Sequence, residues 1–185
     1  EGKWYVFYTA LAGYPFGPDN IKVAVAIGDR PGALTEKHLI TPFNAKAATL
    51  FPERVNGEVV LLLTAHTDFT ETHPRPTIGI ARAKEVAEFF DPAFWDRWHK
   101  ELEANAIPDV RRADTEHMEV AATPVRIKEG WLLIYSHIQD YYDEPNRIFG
   151  VEALVLDAND PRKILMKTAY PFMVPEESYE RYGLV

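Results

Sequence analysis

The sequence contains no cysteine. Disulfides, thiolate nucleophiles and cysteine-based zinc sites are therefore excluded, and histidines and carboxylates must carry any chemistry. No apolar run approaches the roughly 20 residues of a membrane-spanning helix. Positive charge is scarce: 20 Lys and Arg stand against 28 Asp and Glu, a net charge of −8. Such a surface repels phosphate backbones and anionic lipids, so neither a nucleic acid nor a membrane is expected as a partner. Glycine numbers only 10 and falls in turns, with no phosphate-cradling loop. HExxH and a serine in a G-x-S-x-G elbow are missing too. No cofactor and no metal are expected. His66-x-Asp68 and His137-x-x-Asp140 have a spacing that arises readily by chance.

Apolar residues are plentiful: hydrophobic types make up 46% and aromatics 12% of 185 residues. That is enough to fill the core of one domain. Neither end looks natural. Glu1-Gly2-Lys3 runs straight into an apolar strand without an initiator Met or signal peptide, and the chain stops at Tyr182–Val185 as a new strand begins. The expectation is a single unit over residues 1–185 that lacks both ends of a longer protein. A cytoplasmic setting and a homo-oligomer are compatible with it.

A repeat organises the chain. A Gly-containing turn precedes an apolar strand three times: Gly2 before WYVFYTA, Gly57 before VVLLLTA, and Gly130 before WLLIYSH. A second strand follows each, at Ile21–Ala26, Thr77–Ala81 and Ile148–Leu154, and short strands at Ala47–Phe51 and Val120–Val125 precede the second and third hairpins. Strand units repeated at uneven spacing predict an all-β fold of propeller blades. The alternative is a β-sandwich with coincidental hairpins. One helix interrupts the pattern: Asp91-Pro92 is an N-cap and N1 pair, and Phe94, Trp95, Trp98 and Leu102 share one face. Residues 108–115, with Arg111 and Arg112, read as a surface loop.

Carboxylates are the chemical candidates, because glycoside cleavage uses them in pairs. Glu119 leads into a strand expected to be innermost in its unit. Glu152 lies inside an apolar strand, where a charge is costly unless paired or facing a cleft. Glu180 opens the next unit. Lys46 precedes Gly57 nearly as Glu119 precedes Gly130, so the two are expected to meet where innermost strands converge. For each of these a structural salt bridge is the alternative. His117 beside Glu119, His137 at a strand end, and Tyr8 and Tyr135 at matching strand positions are candidate sugar contacts or core residues.

These segments resemble glycoside hydrolase family 130, the β-mannoside phosphorylases and β-mannosidases built on a five-bladed propeller. Leu50-Phe51-Pro52-Glu53-Arg54-Val55-Asn56-Gly57 is similar to its LFPE segment, and Gly130-Trp131-Leu132-Leu133-Ile134-Tyr135 to its GWLLIY strand. Ala153–Asp157 with Asp160–Leu165 is similar to ALLLD…DPxKIL, and Val174-Pro175-Glu176 with Tyr179, Glu180 and Gly183 to PE…YE..G. The resemblance implies a partial five-bladed propeller of about three blades with one inserted helix. It also implies an enzyme cleaving β-mannosidic bonds in an oligosaccharide.

Family phosphorylases bind phosphate as co-substrate through arginines and the His of a YHG motif. Here Lys46 matches a family lysine, the arginine positions are unfilled, and His137 is displaced by one. Inverting hydrolysis is accordingly favoured. Glu119 would act as general acid or base and Glu152 as a weaker partner, with roughly 6.5–9.5 Å between carboxylates. Lys46, His117, Tyr135, His137, Tyr8 and Glu180 would bind substrate. Phosphorolysis and a non-catalytic sugar-binding propeller are the alternatives. The latter predicts Glu119 consumed by a cation from the neighbouring unit. The family's acid, an Asp before the first strand, would lie upstream of Glu1, so this chain alone is expected to be inactive.

Overall fold

The computed structural model describes residues 2–11, 13–15, 20–66 and 76–180, with Glu144 described by its backbone alone. Glu1 of the first turn, Asp68 of the His66–Asp68 pair, and the Gly183 motif with its expected terminal strand lie outside these residues. Among the described residues no helix is long and apolar enough to cross a membrane.

The protein is mostly β, in three antiparallel sheets that follow the repeat. The first joins β1 (Trp4–Leu11), β2 (Ile21–Gly28) and β3 (Leu34–Leu39). The second joins β4 (Ala45–Leu50), β5 (Val59–Ala65) and β6 (Thr77–Ala83). The third runs β7 (His117–Val120), β9 (Trp131–Gln139), β10 (Ile148–Leu156) and β11 (Ile164–Lys167), with β8 (Val125–Arg126) also paired to β9. The three repeated segments are β1, β5 and β9. The expected strand at Val120–Val125 is interrupted, because its middle residues around Pro124 leave the ladder and split it into β7 and β8. The turn before β5 places Asn56 and Gly57 at φ 52° and 81°. A tight hairpin turn needs two positive φ values in succession, which Asn-Gly supplies.

Packing explains why the middle strands read as unbroken apolar runs: both faces of the second sheet are covered. Val60, Leu62, Ile78 and Ile80 join one core with Met118, Val120, Leu133, Tyr135 and Leu154 of the third sheet. Leu61, Leu63, Ala81 and Ala83 join another with Val23, Val25 and Ile27 of the first. Three sheets thus stack in succession, which the two-sheet sandwich does not accommodate. β4 packs beside β1 and β7, so it and β7 are the inner strands of their sheets.

The helix forms where expected and stops sooner. Asp91 caps α1 (Pro92–Lys100) by accepting from Ala93 N–H, and α2 (Leu102–Asn105) follows a break at Glu101. Trp95 and Trp98 are buried and satisfy their indole N–H groups on the carbonyls of Phe89 and Ile80. The Trp98 ring lies so close to Gly79 that a Cβ there would meet it at 2.6 Å. These tryptophans are core, as the spacing suggested.

Candidate active site

Two inner strands meet in one polar cluster. Lys46 on β4 and Glu119 on β7 form an ion pair, Nζ to Oε1, of 2.5 Å. Their positions are equivalent: Lys46 pairs with Thr64 on β5 and Glu119 with Ser136 on β9, the same place in the repeated strand. The backbone is bent to bring this about. Ala47 adopts φ 51°, and the β4–β5 register shifts between Lys46 and Thr49. Bulges of this kind re-aim a side chain at a cost in local strain. The neighbouring strands are stitched by Val120 N–H donating to Thr64 Oγ1 at 3.0 Å and by a Thr49–Thr123 hydroxyl contact of 2.6 Å. A cavity of about 530 Å³ lies between β1, β4 and the segment after β7, lined among others by Trp4, Val6, Thr49, Val120, Ala122 and Thr123; Lys46, Glu119 and His117 do not line it.

His117 completes the cluster. Its Nε2–H donates to Glu119 Oε1 at 2.7 Å, and its ring stacks on Tyr141 with centroids 4.3 Å apart. Burial pulls the Glu119 carboxyl upward, but the His117 hydrogen bond and the Lys46 charge outweigh it and hold the group below the ordinary carboxylate range. Burial pushes His117 down, against the pull of Glu119, so its imidazole is neutral. Glu119 is therefore an ionised acceptor. Both contacts are made by Oε1, and no hydrogen bond reaches Oε2 among the described residues.

The other expected site residues lie elsewhere. Adjacent strand residues point to opposite faces, and Tyr135, paired with Val120 and Glu152, faces away from Glu119. Tyr135 and Glu152 are fully buried, with the Tyr135 hydroxyl donating to Glu152 Oε2 at 2.5 Å. Burial and the Glu152 carboxylate push the Tyr135 phenol up. Arg112 closes the network, donating to Glu152 Oε1 at 2.6 Å and to the Ala169 carbonyl at 2.9 Å. His137, also buried, bonds through Nε2 to Glu116 Oε2 at 2.9 Å. Burial raises the Glu116 carboxyl, but its bonds to His137 and to backbone N–H groups leave it lowered overall.

Glu152, Tyr135 and His137 are thus not beside Glu119, because a strand offers its other face at every second residue. The one-residue displacement of His137 has the same consequence: Ser136 occupies the position facing Glu119. Glu180 is an exposed residue whose carboxylate caps a short 3-10 turn through the N–H groups of Glu176 and Glu177. Tyr8 lies on β1, 42% exposed. Asp140 accepts from Thr115 and does not converge with His137 on a common point. Among the described residues no group of three metal-ligating side chains forms.

Two partners went unnamed in the sequence, Glu116 and Tyr141, and Arg112, read there as part of a surface loop, instead reaches the buried Glu152. Arg112 was readable in principle. A glutamate inside the apolar β10 demands a cation, and the arginine pair in the loop before β7 was one of the candidate supplies.

A family model described as beta-1,4-mannooligosaccharide phosphorylase, of the glycoside hydrolase 130 family, matches residues 4–185. The 1,2-beta-oligomannan phosphorylase of Thermoanaerobacter sp. (strain X514) is 27% identical over 186 residues, covering 100% of this chain and 54% of that protein. The Beta-1,2-mannobiose phosphorylase of the same organism is 24% identical, over 100% of this chain and 53% of its own. The structure of Beta-1,2-Mannobiose phosphorylase from Listeria innocua, in complex with beta-1,2-mannobiose, superposes with a TM-score of 0.70 at 19% identity. It covers 97% of this chain and 44% of that one. The chain spans about half the length of these curated relatives. Its sequence and its stacked antiparallel sheets place it in one group: the chain belongs to glycoside hydrolase family 130.

Proposed function

We propose that the three sheets are blades of a five-bladed β-propeller and that the complete protein is a β-mannoside phosphorylase. It would transfer a mannosyl unit from the non-reducing end of an oligosaccharide to inorganic phosphate. The glycosidic bond from C1 breaks, the leaving oxygen takes a proton, and a phosphate oxygen bonds to C1 from the opposite face, giving α-mannose 1-phosphate. The match to a phosphorylase family model, with curated relatives named as phosphorylases, supports phosphate over water as the acceptor. This departs from the hydrolysis expected above.

The observation in this chain that bears on the reading is the Lys46–Glu119–His117 cluster on adjacent inner strands, in which the Lys46 pair is also the outcome expected of a non-catalytic propeller. Glu119 offers Oε2 as an acceptor for a sugar hydroxyl, and Lys46, although paired with Glu119, is the cation beside it. An ionised Glu119 is unsuited to donating the proton. A cytoplasmic setting fits a reaction whose product is a charged sugar phosphate.

One observation favours the second reading, hydrolysis. Lys46 is balanced by Glu119, and Arg112 is spent on Glu152, so this cluster has no net positive charge for a phosphate. An ionised Glu119 would then serve as the base for water. The synthetic direction separates the two. The complete protein given α-mannose 1-phosphate and a mannose acceptor should release phosphate and lengthen the acceptor. No phosphate release, with manno-oligosaccharides cleaved in phosphate-free buffer, would select hydrolysis.

A further inference from the structure

His117 has its Nε2 on Glu119 and its Nδ1 buried, with no hydrogen-bond partner. The residue is 1% exposed, so neither water nor a sugar hydroxyl reaches Nδ1. This asymmetry decides the tautomer. A proton on Nδ1 would be a buried donor with no acceptor, whereas a bare Nδ1 forgoes only one acceptor interaction. The proton belongs on Nε2, pointed at Glu119 Oε1.

The ring plane is set from behind. Tyr141 stacks on the imidazole, 4.3 Å between centroids and 26° between planes. The Arg147 guanidinium lies 5.0 Å from the centre of the Tyr141 ring. Arg147 also donates through Nε to the Tyr141 carbonyl at 2.8 Å. Tyr141 N–H is held by the Thr115 carbonyl at 2.9 Å, in the loop that leads into β7. Tyr141 is thereby held by its ring contacts and along its backbone. The charged groups around His117 are Glu119 on its own strand, Lys46 from β4, and Arg111 in the loop before β7.

We infer that His117 is a positioning residue, a neutral Nε2–H donor clamped by the Arg147–Tyr141 pair that holds Glu119 Oε1 and turns Oε2 toward the substrate. It is not a sugar contact. The inference rests on the reading of Glu119 as a substrate-binding carboxylate, and it holds for phosphorolysis and hydrolysis alike.

Two measurements on the complete protein test it. Long-range ¹H–¹⁵N NMR of the histidine side chains should show His117 neutral with its proton on Nε2 at pH 7. Tyr141→Leu removes the ring that covers the imidazole, so water should reach Nδ1 and leave the ring a mixture of tautomers. An imidazolium, or a proton on Nδ1, overturns the inference whatever the enzyme's reaction proves to be.

In kinetics, His117→Leu should lower kcat on the order of 10- to 100-fold with a smaller change in KM. His117→Gln, whose amide N–H reaches the same place, should recover most of the loss. A rise in KM at unchanged kcat would make His117 a sugar contact and overturn the inference, as would failure of Gln to improve on Leu at equal folded fraction. Full activity of Glu119→Gln would instead defeat the reading of Glu119, while the NMR result still judged the clamp. If His117→Leu does not fold, the tautomer of the unmodified protein decides.

Discussion

Lys46 and Glu119 meet at 2.5 Å from equivalent positions on the inner strands of neighbouring sheets. The repeat alone makes them neighbours: each is opposite the small hydroxyl residue of its sheet's next strand, Thr64 for one and Ser136 for the other. The bulge at Ala47 then turns Lys46 onto its partner.

Replacing Glu119 by Gln keeps the shape and removes the charge. In the complete protein it should reduce kcat/KM on the order of 10²- to 10⁴-fold, with the thermal midpoint lowered modestly as the Lys46 ion pair is lost. Steady-state kinetics beside a melting curve checks this. Full activity would remove Glu119 from the site.

Stability should fall with acid in two stages. His117 is held below its ordinary value of 6.5 in the folded protein, so the unfolded chain takes up that proton first as pH drops. Stability is complete above that value and declines below it. Glu119 and Glu116 are held below 4.5, so the stability they confer is complete above that pH and is lost as pH falls through their folded values. Melting curves from pH 8 down to about 2 should show both stages, and His117→Gln should erase the first.

The Arg112–Glu152 pair should be structural. Glu152 has no exposed surface and bonds Arg112 and Tyr135. Arg112→Met strands a buried carboxylate at a cost of about 3–5 kcal/mol. The double variant Arg112→Met/Glu152→Gln should recover much of that in denaturant titrations. Equal stability of the single variant and the parent would contradict the assignment.

Gly79→Ala should cost about 1–3 kcal/mol. A methyl group there meets the Trp98 ring, which is pinned by its own hydrogen bond to Ile80. Near-ultraviolet circular dichroism should report the displaced indole.

The hairpins were legible because their signals are local: a glycine turn, an apolar run, a second strand. The helix was legible from its cap and its aromatic face, although not its break at Glu101. Lys46 and Glu119 were legible because the repeat supplies the missing third dimension. Facing was harder. Tyr135, Ser136 and His137 follow one another in sequence, yet only Ser136 shares a face with Glu119, and that depends on register. Arg112 was harder still. It sits in an irregular loop, and its reach to Glu152 is decided by tertiary packing.

The central claim is that phosphate, not water, accepts the mannosyl group. The direct measurement is to incubate the complete protein with β-linked manno-oligosaccharides, with and without inorganic phosphate, and identify the products. Mannose 1-phosphate formed only when phosphate is present is the predicted result. Free mannose released equally in both conditions would contradict it and make the protein a hydrolase.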